Sequence, residues 1–320
     1  MGDSFNPYLG PAAGVATSVL WSFTAISFSA ASRRIGASTV NTTRIGLAVL
    51  WLGISHRLFA GVWIPPACGG QVWLLALSGL VGLTVGDLAL FSAFVDVGPR
   101  LAMLVMTTAP LLAALFGWVF LGETLGGLSW LGMAVTLVGV GWVVLERPET
   151  PAAGQHRARG LLLAFIGAVC QAAGSLLSKG GMGHGWLPEE QFVSPQAAAL
   201  MRMFFAGVFS VPVIVWLAYR PRLRSATSQT ADSAERRRRV GYLLTFAGSI
   251  VGPYLGMWMS LEAFHRTPLG VGQTLCSLSP VIILPLVVFF EKERVTTRAA
   301  LGAAAAVLGT VLLFLPGASE

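Results

Sequence analysis

Charge is scarce in this chain. Only 11% of its 320 residues are charged, whereas 55% are hydrophobic, and the charges cluster in short stretches between long uncharged runs. An average soluble domain carries about 25% charged residues. The composition therefore excludes an ordinary soluble domain and indicates a protein that lies in lipid.

Cysteine and histidine are also few, and neither follows the spacing of a ligand set. The three cysteines stand singly and the four histidines lie in or near the predicted loops: Cys68, Cys170, Cys276, His56, His156, His184 and His265. A phosphate-binding loop and a nucleophile elbow are absent as well. We therefore predict no metal site, no cofactor and no catalytic residue, so the protein is not expected to be an enzyme.

Long apolar runs make up most of the chain. Each run has about 20 residues, enough to cross the hydrocarbon core as a helix with its backbone groups bonded internally. The predicted fold class is an all-α integral membrane protein with ten transmembrane helices. They span about 9–31, 39–57, 71–95, 101–120, 128–146, 160–179, 197–218, 240–263, 268–290 and 298–316.

The second half of the chain repeats the first. The linker ERPETPAAGQHRARG, rich in proline, glycine and charge, divides a first repeat at 1–148 from a second at 149–320. Adding 170 to the number of certain glycine, proline and glutamate residues of the first repeat gives a residue of the same type in the second, with no gap in between. The pairs are Gly82 and Gly252, Gly86 and Gly256, Pro110 and Pro280, Glu123 and Glu293, Gly132 and Gly302, and Gly139 and Gly309.

The early helices follow shorter offsets. Adding 146 pairs Gly14 with Gly160, while adding 158 pairs Arg44 with Arg202. Since each repeat holds five helices, an odd number, the second copy must enter the membrane from the opposite face. The sequence thus predicts an inverted repeat, which is typical of secondary transporters and provides a route to alternating access.

Basic residues predict the orientation. Sixteen Lys and Arg side chains fall in loops on one side, against only Arg57, Lys179 and Arg266 on the other. The basic side is expected in the cytoplasm, with both termini outside. The first helix is read as retained rather than cleaved, because its positive charges follow the apolar stretch. Basic cytoplasmic loops also explain the RRRR run at 236–239, so no nucleic-acid partner is predicted.

The two repeats, the early arginines Arg44 and Arg202, and the stretch from Pro110 through LGETLGGLSWLG resemble the EamA-type branch of the drug/metabolite transporter (DMT) superfamily. The resemblance covers about 9–316. It implies a transporter of small organic metabolites such as amino acids, often working as an exporter in efflux, in a bacterial inner membrane. One departure is the second copy's FFEKERVT, which makes the turn before Glu293 more polar.

Charges inside the apolar runs are the first candidates for a site. Asp87, Glu262, Arg44 and Arg202 lie within predicted helices, where an unpaired charge is costly and should face a partner or a wet cavity. For the arginines the alternative is snorkelling or a structural salt bridge. For Glu262 a local pair with Arg266 or His265 is favoured, and for Asp87 a cavity role.

Neutral side chains complete the predicted lining. Polar and aromatic residues on shared helix faces would offer a solute hydrogen bonds without fixed charge, although each could equally hold helices together. The candidates are Trp21, Ser22, Thr107, Gln171, Ser175, Trp258 and Gln273.

Two further pairs of corresponding residues can be interpreted either as structural or as functional. Pro110 and Pro280 are predicted mid-helix, as hinges of a broken helix or as static kinks. Glu123 and Glu293 end their helices, where capping of the next helix is favoured over proton coupling.

Together these features predict a secondary transporter, an exporter or facilitator of a small organic metabolite. Its partners would be the solute and the lipid bilayer, and transport would be driven by the solute's own gradient or by protons as a coupling ion through Asp87, in a monomer or homodimer. The alternative is an integral membrane enzyme or a lipid-handling protein with a polar interior. Flux without chemical change distinguishes the two.

Overall fold

The structure, a computed structural model, describes residues 7–146, 157–186, 192–219, 231–282 and 296–314. All regular elements in these ranges are helices. They are α1 (Leu9–Ile35), α2 (Ala37–Ala60), α3 (Gly69–Ser78), α4 (Gly86–Met106), α5 (Ala109–Leu121), α6 (Gly127–Glu146), α7 (Arg157–Gly181), α8 (Pro195–Tyr219), α9 (Ala231–Ser249), α10 (Met257–Arg266), α11 (Leu269–Cys276) and α12 (Thr297–Leu313).

The predicted apolar segments are helical where the structure describes them, apart from short turns at 107–108 and 277–278. Six helical stretches in these ranges are long and apolar enough to cross a membrane, and three shorter apolar helices accompany them. Helix α2 has the length but is less apolar, because it carries Asn41, Arg44, His56 and Arg57. The all-α class is thus confirmed, whereas the count of ten spans stays a prediction.

Helix α4 folds back on itself. Leu90 and Met106 both lie 3.5 Å from where a methyl group on Gly167 would stand. Sixteen residues of straight helix would separate them by about 24 Å. The chain therefore reverses between the predicted segments 71–95 and 101–120, as the sequence indicated.

One π-helical segment interrupts the third predicted helix of each repeat, at 71–95 in the first repeat and at 240–263 in the second. Gly79–Val85 joins α3 to α4, and Ile250–Gly256 joins α9 to α10. Pro253 lies inside the second segment, where its missing N–H removes one helical hydrogen bond. Such wide turns are often found at functional sites, and the sequence analysis did not predict them.

The first helix of each repeat packs antiparallel against the third helix of the other. A methyl group on Gly10 would meet Arg266 and Thr267, and one on Gly160 would meet Asp96 and Val97. These contacts correspond when 150 is added in the first helix and 170 in the third. The predicted offset of 146 was therefore wrong by about one helical turn: Gly160 corresponds to Gly10, not to Gly14.

The last helices of the repeats, α6 and α12, pack antiparallel through their glycines. A methyl group on Gly139 would lie 2.6 Å from the carbonyl oxygen of Gly302, and one on Gly309 would lie 2.7 Å from that of Gly132. Gly302 corresponds to Gly132 and contacts Gly139. Gly309 corresponds to Gly139 and contacts Gly132. This reciprocal arrangement requires close approach of two backbones.

Candidate functional site

A cavity of about 400 Å³ lies between the two repeats. This volume is in the range of small-molecule sites, about 300 to 1,000 Å³. Seven of the eleven residues predicted to line a cavity do line it: Trp21, Arg44, Asp87, Thr107, Gln171, Arg202 and Gln273.

Corresponding residues of the two repeats line this cavity together. With 150 added in the first helix, Trp21 corresponds to Gln171, and both are in the wall. Wall residues of the second predicted helices correspond when 158 is added, and those of the third and fourth predicted helices correspond when 170 is added. The further pairs are Arg44 and Arg202, Ile45 and Met203, Leu83 and Pro253, Asp87 and Met257, Met103 and Gln273, Met106 and Cys276, Thr107 and Ser277, and Ala109 and Ser279.

Asp87 and Arg44 form an ion pair at the more open part of the cavity. Arg44 Nη2 lies 3.4 Å from Asp87 Oδ2, with 25% and 33% of the two side chains exposed. Arg44 Nε also donates to Asn41 Oδ1 at 2.8 Å, and its guanidinium lies over the ring of Phe28. The salt bridge that the sequence left open for the arginine is present, and it lies in the cavity wall.

Arg202 lies deeper and is only 2% exposed. Its Nη1 donates to Ser178 Oγ at 2.9 Å, while its Nε has no hydrogen-bond partner. Gly82 and Gly174 leave room for the guanidinium, since a methyl group on Gly82 would lie 2.8 Å from Nη2. A small-residue stripe on the third helix thus serves both close packing and the placement of a buried cation.

The fourth predicted helix of each repeat, at 101–120 in the first and 268–290 in the second, breaks at the cavity wall. Helix α4 ends at Met106 and α5 begins at Ala109, so Pro110 occupies a first helical turn where its missing N–H costs little. Of the two expected alternatives, the broken helix agrees with the turn at 107–108, which places Pro110 at the start of a helix and not in the middle of one. Thr107 Oγ1 donates to the Leu104 carbonyl at 2.6 Å.

The same break recurs in the second repeat. Helix α11 ends at Cys276, and residues 279–282 are helical again, so Pro280 also follows a break. Ser277 Oγ donates to the Gln273 carbonyl at 2.8 Å. Helix α1 supports this break from the side, because Ser18 Oγ donates to the Leu275 carbonyl at 2.6 Å.

Four predicted lining residues lie outside the cavity wall. Ser22 Oγ donates to the Ser18 and Ser279 carbonyls, and Ser175 Oγ donates to Gln273 Oε1 at 3.0 Å. The first therefore holds helices together, and the second supports a residue of the wall.

Trp258 and Glu262 are the other two. Trp258 packs against Phe59 and Tyr254 rather than facing the cavity. Glu262 pairs with Arg266 one turn on, which is the local alternative expected from the spacing.

One end of the bundle, here called the Lys179 end, is closed by contacts between the repeats. It consists of Lys179, Glu123, His184, His265 and the α11 N-terminus. Lys179 Nζ lies 2.5 Å from Glu123 Oε1 and donates to the Thr267 carbonyl at 2.6 Å. These side chains do not line the cavity.

Glu123 caps a helix, but not the one predicted. Its Oε2 accepts the backbone N–H of Leu269, the first residue of α11, at 2.7 Å. The sequence analysis expected the next helix along the chain, α6. Helix α5 ends at Gly122 with φ of 69°, and this turn directs the carboxylate toward the other repeat. Glu293 lies outside the described residues.

A histidine pair lies beside this ion pair. His184 Nε2 and His265 Nδ1 are 2.7 Å apart. Burial, together with the nearby Lys179 and His265, lowers the pKa of His184 from 6.5 to about 4. His184 is therefore neutral at physiological pH.

The sequence analysis missed the apolar part of the wall. Four methionines and Phe264 supply its largest unpredicted side chains, and no single one stands out from an apolar run: Met103, Met106, Met203, Met257 and Phe264. The repeat offered a signal for them, because a residue that corresponds to a predicted wall residue can also line the cavity. Met257 corresponds to Asp87, and Met103 corresponds to Gln273. Within the described ranges, no group of three or more His, Cys, Asp or Glu could hold a metal ion.

Comparison with known proteins identifies the family. The sequence model of the EamA-like transporter family matches residues 9–145 and 158–315, one match in each repeat. A crystal structure shares the fold with a TM-score of 0.71 at 19% sequence identity, over 95% of each chain. No curated protein shows a significant sequence match. The chain therefore belongs to the EamA-like transporter family and is a multi-pass membrane protein.

Proposed function

We propose that the protein is a secondary transporter that moves a small organic metabolite, such as an amino acid, by alternating access. The observation that carries this proposal is the cavity lined by corresponding residues of both repeats. A site on the axis between two equivalent halves can open to either face when the halves exchange conformations. Membership of a transporter family supports the same conclusion.

The packing supports an inverted repeat of five plus five helices. Helices α6 and α12 correspond in the two repeats, yet they contact each other antiparallel and reciprocally through Gly132, Gly139, Gly302 and Gly309. A twofold axis in the membrane plane relates helices in this way. We propose ten spans, both termini outside the cytoplasm, and a bacterial inner membrane as the location.

In this arrangement the structure corresponds to a state open toward the cytoplasm. The Lys179 end is closed and, in the proposed topology, faces outside. Exposure of the cavity side chains rises from Arg202, at 2%, to Asp87, at 33%, on the opposite side. The carrier would export or facilitate release of its solute, as a monomer or homodimer, with protons coupled through Asp87.

The test is flux. Purified protein in liposomes is loaded with a mixture of unlabelled amino acids and diluted into each labelled amino acid in turn, without ATP. Counterflow above that of empty liposomes is expected for at least one of them. Chemical conversion of the solutes without flux would overturn the proposal in favour of a membrane enzyme, and movement of labelled lipid alone would favour a lipid-handling protein.

Topology is tested separately. A cysteine introduced at Gly154, in the linker between the repeats, should react with a membrane-impermeant maleimide only after the cells are opened. A cysteine at Gly2 should react in intact cells. Labelling of both cysteines on the same face would contradict an odd number of spans per repeat.

A further inference from the structure

The charge of the cavity wall is unbalanced. Only three of the described residues that line the cavity are charged, and they are Arg44, Asp87 and Arg202. Arg44 and Asp87 pair with each other at 3.4 Å. One positive charge, that of Arg202, is left over.

Arg202 has no carboxylate partner. The ion pairs of the described residues involve other side chains, and the hydrogen bond to Ser178 joins Arg202 to a neutral group. Its Nε lacks any partner, although the side chain is only 2% exposed. A guanidinium at such depth in a membrane protein is costly unless it is paired or faces a wet cavity.

Arginine also has a geometric preference. Its planar guanidinium binds a carboxylate through two parallel N–H donors, and such charged hydrogen bonds are roughly twice as strong as neutral ones. Arg202 has a free Nε and lies in the cavity wall, so an anion in the cavity would complete its bonds. Arg44 differs, because Asn41 and Asp87 already occupy its Nε and Nη2.

The uncharged part of the wall is mainly apolar, with neutral polar side chains such as Gln171, Ser260 and Gln273 among the apolar ones. The large apolar side chains Trp21, Met106, Met203, Met257 and Phe264 line the same cavity as Arg202. Methionine side chains are flexible and polarizable, so they accommodate apolar groups of varied shape. This wall suits a solute whose body is hydrophobic and whose charge lies at one end.

We propose that the solute is an amphipathic carboxylate, with its carboxylate group bound by Arg202 and its apolar body against the methionine, Trp21 and Phe264 side chains of the wall. This inference rests on the proposed transport function and names the class of solute. With Asp87 ionised, the Arg44–Asp87 pair beside it contributes no net charge.

Binding to purified protein tests the proposal with matched probes. The probes are straight-chain and phenyl-substituted carboxylates of three to ten carbons, each compared with its primary amide and its primary amine. We expect at least one carboxylate to bind tenfold or more tightly than its amide, measured by equilibrium dialysis. No carboxylate preference in the set, or a preference for the amines, would overturn the proposal.

Variants assign the preference to Arg202. Arg202→Gln should reduce the carboxylate-to-amide ratio to below threefold, whereas Arg202→Lys should keep part of it. The control is Arg57→Gln, which removes an exposed charge at the end of α2. A ratio unchanged in Arg202→Gln would overturn the assignment.

A second measurement needs only the wild-type protein. Phenylglyoxal modifies arginine side chains, and mass spectrometry maps the sites. The best-binding carboxylate should protect Arg202 and leave Arg57 reactive, while its amide should protect neither. Protection of both or of neither by the carboxylate counts against the proposal.

Failure of this inference differs from failure of the transport function. Carboxylate binding through Arg202 without flux in liposomes would remove the carrier and keep the carboxylate site. Flux of a solute that has no carboxylate group, unaffected by Arg202→Gln, would keep the carrier and remove the carboxylate site.

Discussion

Lys179 Nζ lies 2.5 Å from Glu123 Oε1, and the pair joins the two repeats at one end of the cavity. The side chains are 7% and 15% exposed, so both charges are held away from water. Each has a second partner from the second repeat: the Thr267 carbonyl for Lys179 and the Leu269 N–H for Glu123. Separating the repeats at this end requires the two bonds of Glu123, to Lys179 and to the Leu269 N–H, to break together.

Removing one charge of this pair should destabilise the protein. In Glu123→Gln the amide oxygen still accepts from Leu269, but Lys179 is left buried without a counter-charge, which costs about 3 kcal/mol. The melting temperature in detergent should fall by several degrees. The matched control is Glu262→Gln, whose pair with Arg266 is more exposed and should contribute about 1 kcal/mol or less. Equal melting of the two variants would contradict the prediction.

The double variant Glu123→Leu with Lys179→Met extends the same test. Replacing a buried ion pair by apolar residues of similar volume is often neutral or stabilising. We expect it to melt above Glu123→Gln. If it melts below the single variant, the cap on α11 contributes more than the charge pair.

Acid should weaken the Lys179 end. The pKa of His184 is lowered from 6.5 to about 4, so an unfolded or opened form binds a proton at higher pH than the closed form does. The contribution of His184 is therefore complete above about pH 6.5 and declines as the pH falls toward 4. The groups that face it are Lys179 and His265, which also disfavour its charge.

The measurement is the drop in melting temperature between pH 7.5 and pH 5. His184→Asn should show a smaller drop than the wild type. His156→Asn, a change in the linker between the repeats, should keep the full drop. An identical drop in all three proteins would exclude a role for His184.

The glycine contact between α6 and α12 should not tolerate a side chain. In Gly139→Ala the new methyl group would lie 2.6 Å from the Gly302 carbonyl oxygen and would also meet the Ala306 backbone. Moving two backbones apart costs about 1 to 3 kcal/mol. Gly53→Ala is the control, because a methyl group there has nothing within 4 Å, and alanine favours a helix by about 1 kcal/mol. Thermal melting should therefore separate the two variants in opposite directions.

Asp87 is expected to carry the coupling proton. Asp87→Asn should abolish uptake driven by a pH gradient in liposomes and leave solute exchange intact, because exchange needs no net proton movement. Asp96→Asn is a suitable control, since Asp96 pairs with Arg159 at 3.5 Å away from the cavity wall. Loss of neither activity in Asp87→Asn would make the Arg44–Asp87 pair structural.

Much of the architecture follows from the sequence, because apolar run length and charge position act locally. The helices, the reversal before Ala102 and the local Glu262–Arg266 pair are all of this kind. The offset of 170 also predicted which late helices correspond. Seven of eleven wall candidates followed from one physical rule, that polar groups in lipid face the interior.

What the sequence could not predict depends on contacts between the repeats. Gly10 and Gly14 are equally plausible partners for Gly160 until the neighbours Arg266 and Asp96 are known. Glu123 caps α11 rather than α6 because of a turn at Gly122. The π segments arise where a third helix passes the other repeat's first helix, which a single-helix pattern does not encode.

The corrected register also makes the two ends of the protein unequal. With 150 added in the first helix, the position of Lys179 corresponds to Ser29, which carries no charge, while Glu123 corresponds to Glu293. The position in the first repeat that corresponds to Lys179 is therefore occupied by a neutral serine. Two such halves cannot interchange at zero energy difference, so a carrier built this way has a preferred resting orientation, and a single lysine contributes to setting it.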